Sequence, residues 1–280
     1  MFENKSLAYS GETLLYDDYE LYYIDYNPLN LPPNTVRVKT SDGKVPYKYS
    51  ATTYETATLV PGTSDVYDVY KSGTSFGSLL RGSVNVVEVL GANTTGITNM
   101  SYMFDSCTSL RTVSLFDTYN VTNMSEMFCY CTSLSTVPLF DTSNVTDMYW
   151  MFDRCSNLTT VPLFDTSNVT SMSNMFYNCE SLTSIPLFNT SKVTTMYRMF
   201  QGCTSLTNIP LFDTSNVTSM QYTFWNCSSV QSGALALYQQ ASSQTKPPSN
   251  HSGTFYNCGS NTTTGAAELA QIPNDWKSNK

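Results

Sequence analysis

Eight cysteines, one histidine and a recurring aspartate are the residues whose types and spacing could do chemistry. Cys107, Cys131, Cys155, Cys179, Cys203 and Cys227 follow one another at intervals of 24. A zinc site needs a tetrahedral set with short Cys spacing or histidines. Here only Cys129 and Cys131 are close, and His251 is the sole imidazole, so no metal and no cofactor is expected. A Cys–His nucleophile pair would need His251 held by a third group beside an exposed thiolate. That histidine instead sits in PPSNHSG, which reads as a solvated loop. Cys129 falls at an outward position of the pattern below and reads as the most reactive thiol. Asp117, Asp141, Asp165 and Asp213 invite a calcium reading, but turn-forming side chains copied with a repeat account for them. There is no glycine-rich phosphate loop after a strand, and no carboxylate pair outside the copies. No catalytic residue is assigned, and no enzyme is expected.

The elements that position these side chains come from a repeat, which is sought before secondary structure. Phe104, Phe128, Phe152, Phe176, Phe200 and Phe224 keep the 24-residue step, and Met100, Met124, Met148, Met172, Met196 and Met220 do too. A second series, Met103 to Met199, ends where Thr223 takes its place. One unit reads LFDTSNVTxMxxMFxxCxSLTxVP. Met148, Met151, Phe152 and Cys155 lie at i, i+3, i+4 and i+7, the stripe of a short helix, with Thr146 as its N-cap and Asp147 in its first turn. Leu158, Val161 and Leu163 have the spacing of a brief strand facing a core, and Asp165 to Asn168 form a turn. Pro138, Pro162, Pro186 and Pro210 lack an N–H, so any parallel strand must be very short. One unit cannot bury its own stripe, so neighbours must stack. Stacking also brings the cysteine Cα atoms within disulfide range; a buried, reduced ladder packing as small hydrophobes is the simpler reading.

The ends differ. Residues 76–90 look like a degraded repeat, and TFYNC (254–258) echoes TFWNC (223–227) after a helical-looking GALALYQQASS. The expected organisation is a Tyr-rich segment and small β domain over 1–75, in which Val36, Val38 and Asp42-Gly43 suggest a hairpin and TATLV and VYDVY suggest strands. The repeats follow over 76–234 (a cap at 76–90 and six repeats at 91–234), and a C-terminal cap over 235–280.

Net charge −8 and a pI near 4.5 argue against nucleic acid, whose binders need a cationic surface. No run is apolar and long enough to insert in a membrane. The opening MFENKSLAYSGETLLYDDYE lacks the basic start, apolar stretch and cleavage site of a secretory signal. The expectation is either a trimmed chain or release without a secretion channel.

The recurring F-x-x-C-x-S-L-T-x-V/I-P with M-x-x-M before it resembles the BspA-like leucine-rich-repeat group of bacterial surface proteins, in its FDTSNVTxMxxMF variant, over about 76–258. The resemblance implies an α+β repeat protein: an LRR-like right-handed solenoid of strand–turn–short-helix units, in a family of mostly adhesion or recognition proteins. LPPNTVRVKT, EVLGANTTGITNM and GAAELAQIPNDW also look like proteins of gut Bacteroidales and their phages.

What varies between copies is the outward positions, among them Ser173, Asn174 and Asn178 in the fourth copy. Large aromatics and arginines recur there, and such residues dominate recognition hot spots. Tyr102, Tyr149, Trp150, Arg154, Tyr177, Tyr197, Arg198, Tyr222 and Trp225 are therefore the candidate ligand-binding residues. The alternative is that they merely cover the stack. The strand-side row Thr112, Thr136, Thr160, Ser184 and Asn208 reads as plain surface. The leading expectation is a recognition module on a virion surface (tail, fibre or decoration) that binds a host-surface glycan or protein and docks through residues 1–75 to other virion proteins. A bacterial surface or extracellular adhesin and a purely structural virion subunit are the alternatives, and homo-oligomerisation stays open.

Overall fold

The computed structural model describes residues 12–17, 20–25, 29–46 and 54–278. β1 (Glu12–Asp17) and β2 (Glu20–Asp25) form an antiparallel pair of their own. Of the Tyr-rich segment over 18–33, for which docking is expected, residues 18–19 and 26–28 lie outside those described.

Alternation of Val36 and Val38 with Arg37 and Lys39 makes β3 (Thr35–Thr40) a strand with one buried face. It is the centre of a five-stranded sheet ordered β4-β5-β3-β6-β7. β4 (Thr56–Leu59) and β5 (Val66–Tyr70) are the strands foreseen in TATLV and VYDVY. Arg37 clamps β3 to β5 through two hydrogen bonds to the Asp68 carboxylate, 2.7 and 2.8 Å long. The turn at Asp42-Gly43 is present, with Asp42 accepting from the Lys44 N–H. It does not close the expected hairpin, because β3 pairs with β5 and β6.

β6 (Val86–Asn93) joins this sheet to the repeats. It runs antiparallel to β3 on one edge and parallel to the two-residue β7 (Thr112–Val113) on the other. A single apolar core therefore runs from Val36 to Trp276. From Ser75 onward, parallel bridges link equivalent residues of successive units: Ser75 to Asn99, Asn99 to Asn123, and so on to Ser219 and Asn250.

The expected short helix is absent from the repeats; among the described residues, helices occur only beyond the last unit. Each MxxMFxxC segment is instead two consecutive four-residue turns. In the third unit Met151 donates to Met148 O and Cys155 donates to Phe152 O. The third residue of each turn, Trp150 and Arg154, is left-handed (φ 56° and 55°), as a type II turn requires. The alternate N–H groups of Trp150, Phe152 and Arg154 point along the stack to carbonyls of Ser173, Met175 and Tyr177. A helix over the same residues would turn the Phe152 and Arg154 N–H groups onto carbonyls four residues back and leave them unavailable to the next unit. Inward residues at i, i+3, i+4 and i+7 are equally the first and last residues of two successive turns, which is why the pattern resembled a helix.

Other details follow from the stacking. Asp147 caps the turn, its carboxylate accepting from the Tyr149 N–H, while the Thr146 hydroxyl donates to Thr122 O of the preceding unit. Asp141, Asp165 and Asp213 each accept the N–H two residues on, as turn-forming side chains do. The Asn of NVT is a staple: Asn144, Asn168 and Asn216 donate to carbonyls of the unit before. Leu163 does not face the core but is 59% exposed. A tight turn closed by Phe164 N–H to Pro162 O sends the leucine outward and Phe164 inward.

Two columns of phenylalanines fill the stack. In the first, Phe128, Phe152, Phe176 and Phe200 lie 5.4–5.6 Å apart and within 6° of parallel; Phe140, Phe164, Phe188 and Phe212 form the second. Beside them Cys131, Cys155, Cys179, Cys203 and Cys227 donate S–H bonds of 3.0–3.2 Å to Phe carbonyls of preceding units. All eight cysteines are buried thiols that form no disulfide with one another. Thr223, which ends the second Met series, turns its hydroxyl onto Met196 O and Met220 O.

The last unit is covered by α1 (Ala234–Ser242), α2 (Thr263–Gln271) and α3 (Asn274–Lys277). Gly233 starts α1 at φ 98°, where a Cβ would lie 2.1 Å from Ile209 O. The Glu268 carboxylate of α2 accepts from Leu235 N–H in the first turn of α1, where a negative charge suits the helix dipole.

This packing separates inward from turn residues. Phe152→Ala should cost about 3–5 kcal/mol. Ser106→Gly, at a left-handed residue (φ 61°), should cost less than about 1 kcal/mol or stabilise the fold. Equilibrium denaturation of the full chain measures both.

Candidate recognition face

Because each turn pair has the same geometry in every unit, its outward side chains line up on one face. Of the nine candidates, Tyr102, Trp150, Arg154, Arg198 and Tyr222 occupy the left-handed positions, with φ between 54° and 60°. Tyr149, Tyr177, Tyr197 and Trp225 lie one residue before such a position.

The side chains meet across units in three groups. At the N-terminal end the Arg81 guanidinium lies 4.7 Å from the Tyr102 ring centroid, and Arg81 Nε is 2.7 Å from the buried Asp105 carboxylate. The bond to Glu126 raises the Tyr102 hydroxyl pKa, and burial raises that of Glu126. In the middle Arg154 lies between the rings of Tyr130 (4.7 Å) and Tyr177 (5.3 Å) and hydrogen-bonds the Tyr130 hydroxyl. Tyr149 stacks on Trp150 beside it, at 5.1 Å and 13°. Toward the C-terminal end Arg198 lies between Tyr197 (5.0 Å) and Tyr222 (5.3 Å). Tyr222 meets Trp225 edge-on at 5.2 Å, and Trp225 stacks on Tyr256 at 3.8 Å. Such contacts contribute about 0.5–2 kcal/mol each.

Arg81, Glu126, Tyr130 and Tyr256 belong to this face and were not among the candidates. Reading each column at the 24-residue step, and aligning TFYNC with TFWNC, would have found the last two. Other expectations are corrected by burial. Ser173 and Asn174 are buried, as is Cys129. The third position of the outward set turns inward in three units, where it holds Asp105, Cys129 and Asp153. Burial, reinforced by the neighbouring Asp153, drives the Cys129 pKa far up, which makes it an unreactive thiol. His251 is not a loosely solvated loop residue either. It stacks on Trp276 at 4.3 Å and lies 3.3 Å from Asp275 Oδ2, which pins α3 to the last unit.

The face sets aromatic rings and arginines beside the carboxylates of Asp105, Glu126 and Asp153. Among the described residues no group of three or more His, Cys, Asp or Glu could hold a metal. The face offers ring surfaces, guanidinium edges and hydroxyls to a ligand.

The family model described as "Mycoplasma protein of unknown function, DUF285" matches residues 74–161, 134–236 and 156–263. The chain belongs to the DUF285 family. These matches begin beside Ser75, where the unit-to-unit bridges start, and end at the start of α2. The DUF285 repeats agree with the BspA-like resemblance of the sequence. No curated protein matches the chain. A solved leucine-rich repeat protein from Eubacterium ventriosum ATCC 27560 is similar at 20% identity and a TM-score of 0.45, over 73% of this chain. The chain spans about half of that protein, 48% of its length.

One group on the DUF285 face titrates near neutrality. Burial pushes the Asp153 carboxyl up to about 6, opposed by the Arg154 charge. A carboxyl whose folded pKa lies above its unfolded value stabilises the fold when protonated, and this stability is lost as pH rises from about 4 to about 6. Asp153→Asn should remove that contribution and raise stability at pH 7 relative to the parent by about 1–2 kcal/mol, allowing for solvent screening. Denaturation of both proteins between pH 4 and pH 7 reads the difference; parallel pH profiles would contradict it.

Proposed function

We propose that this chain is a non-enzymatic recognition module, in which the repeats form an LRR-type right-handed solenoid whose aromatic–arginine face binds a host-surface glycan or protein. The parallel bridges between units support the solenoid reading, and right-handedness is the usual hand of parallel crossover connections.

The observation that carries the recognition reading is the choice of residue at the left-handed positions. There a glycine is unstrained, whereas other residues cost about 1 kcal/mol. Gly202 occupies this position in one unit, so the fold accepts glycine there. The chain nevertheless keeps Tyr102, Trp150, Arg154, Arg198 and Tyr222, whose side chains must return something the backbone does not require. Tyr130, Tyr149 and Tyr256 add exposed ring surface beside them. Ring faces with planar polar edges suit the apolar patches and hydroxyls of a sugar.

Placement on a virion, with residues 1–75 docking to other virion proteins, rests on the sequence likeness to gut phage proteins alone. A glycan array with the full chain, Trp150→Ala and Trp225→Ala tests the recognition reading. Each substitution should weaken binding about 5- to 30-fold, the range for loss of an aromatic anchor worth about 1–2 kcal/mol. Binding unchanged in both variants would remove the aromatic face from recognition and favour a structural subunit.

A further inference from the structure

Three arginines of the recognition face lie against tyrosine rings, and two of them also have a carboxylate. Arg81 lies on the Tyr102 ring with Asp105 at 2.7 Å. Arg154 lies between Tyr130 and Tyr177 with Asp153 at 3.7 Å. Asp105 and Asp153 hold the same place in their units, directly after Phe104 and Phe152. Arg198 lies between Tyr197 and Tyr222 in the manner of Arg154, but the residue after Phe200 is Gln201. Among the described residues Arg198 forms no ion pair.

Its surroundings supply no substitute. The turn pairs 171–178, 195–202, 219–226 and 250–257 contain no Asp or Glu, whereas those at 99–106, 123–130 and 147–154 carry Asp105, Glu126, Asp147 and Asp153. Glu180, two residues beyond the first of these segments, forms no ion pair among the described residues, and Asp275, beside the last, faces His251. Arg198 Nε is buried without a partner, and so is Gln201 Oε1. Among the described residues the guanidinium is held by ring contacts alone. A charge taken partly out of water is normally paired, and this one lacks its pair.

We propose that Arg198 is the anion subsite of the face, and that the glycan bound there carries a carboxylate, as a sugar acid does. This rests on the recognition reading above and names its ligand class. The ligand carboxylate takes the place that Asp105 and Asp153 take at the other two arginines. Because Nε is buried, the two terminal nitrogens are the edge that meets the ligand, through parallel N–H···O bonds to a planar carboxylate. The rings of Tyr197 and Tyr222 hold the fork in place beforehand, which lowers the entropy lost on binding. The Trp225–Tyr256 stack beyond Tyr222 offers ring surface to the rest of the sugar. A densely sulfated glycan calls for several cations, and the four segments contain one Arg and no Lys.

A glycan array carrying uronate-containing, sialylated, sulfated and neutral glycans, with each carboxylate also presented as its methyl ester, tests this on the full chain. The parent should bind carboxylated glycans about 10- to 100-fold more tightly than their esters, the range for a charge-assisted pair. Arg198→Gln should bind acid and ester alike with unchanged circular dichroism, and Arg198→Lys should keep part of the preference. Trp150→Ala should weaken acid and ester by the same factor. A parent that binds neutral glycans or esters as tightly as acids overturns this inference and leaves the recognition reading standing. So does a parent that favours sulfated glycans, or a folded Arg198→Gln variant that keeps the preference. A parent that binds no glycan removes this inference together with the glycan part of that reading. Should Arg198→Gln not fold, the comparison of acid and ester on the parent decides alone.

Discussion

Every second N–H of the turn ribbon must find a carbonyl in the next unit, and the rest of the molecule depends on meeting that requirement. Met100 reaches Asn123, Tyr102 reaches Ser125, Phe104 reaches Met127 and Ser106 reaches Cys129. An unpaired buried amide costs about 1–3 kcal/mol, so a unit of the wrong length would lose several bonds at once. The 24-residue step is thus a register constraint. The phenylalanine columns and the buried S–H bonds add apolar burial and local satisfaction to it. Asn144, Asn168 and Asn216 repeat the same logic at the surface, each spending a side-chain amide on a carbonyl of the neighbouring unit. The sheet at one end and the helices at the other cover units that have no further neighbour, as terminal units of repeat proteins require.

The same ribbon creates the surface. Two left-handed residues recur in each unit in a fixed register, most of them outward with Asn174 buried, so residues one unit apart in sequence become neighbours in space. Arg154 reaches both Tyr130 and Tyr177 for this reason, and Arg198 both Tyr197 and Tyr222. The fold supplies a periodic scaffold, and its strained positions carry the bulky side chains. On another edge the proline-closed turns project leucines by an equally local rule, which gives one chain two chemically distinct faces.

Much of this was legible in the sequence. The period, the inward Phe, Met and Cys series, the aspartate turns and the atypical ends all follow from counting, because burial restricts residue type at every copy. Four things were not legible. Two type II turns and one short helix bury the same i, i+3, i+4 and i+7 positions, so Met148, Met151, Phe152 and Cys155 could not separate them. A strand alternation carried past Pro162 puts Leu163 inside, but the turn closed by Phe164 N–H reverses the sense at that residue. The burial of Cys129 beside Asp153 depends on side-chain packing between units rather than on its place in the pattern. The pairing of arginines with tyrosines became visible only once the units were stacked in register.

Backbone NMR of the full chain, protonated at Cα, tests the turn ribbon most directly. Strong intraresidue HN–Hα NOEs at Trp150, Arg154, Asn174 and Asn178, with weak ones at Met151, Phe152, Met175 and Phe176, are the predicted result, since the first four residues have positive φ and a left-handed residue brings its HN and Hα close together. Uniformly weak intraresidue NOEs, with strong sequential HN–HN contacts through 148–155 and 172–179, would mean a right-handed helix in each unit and would contradict the account.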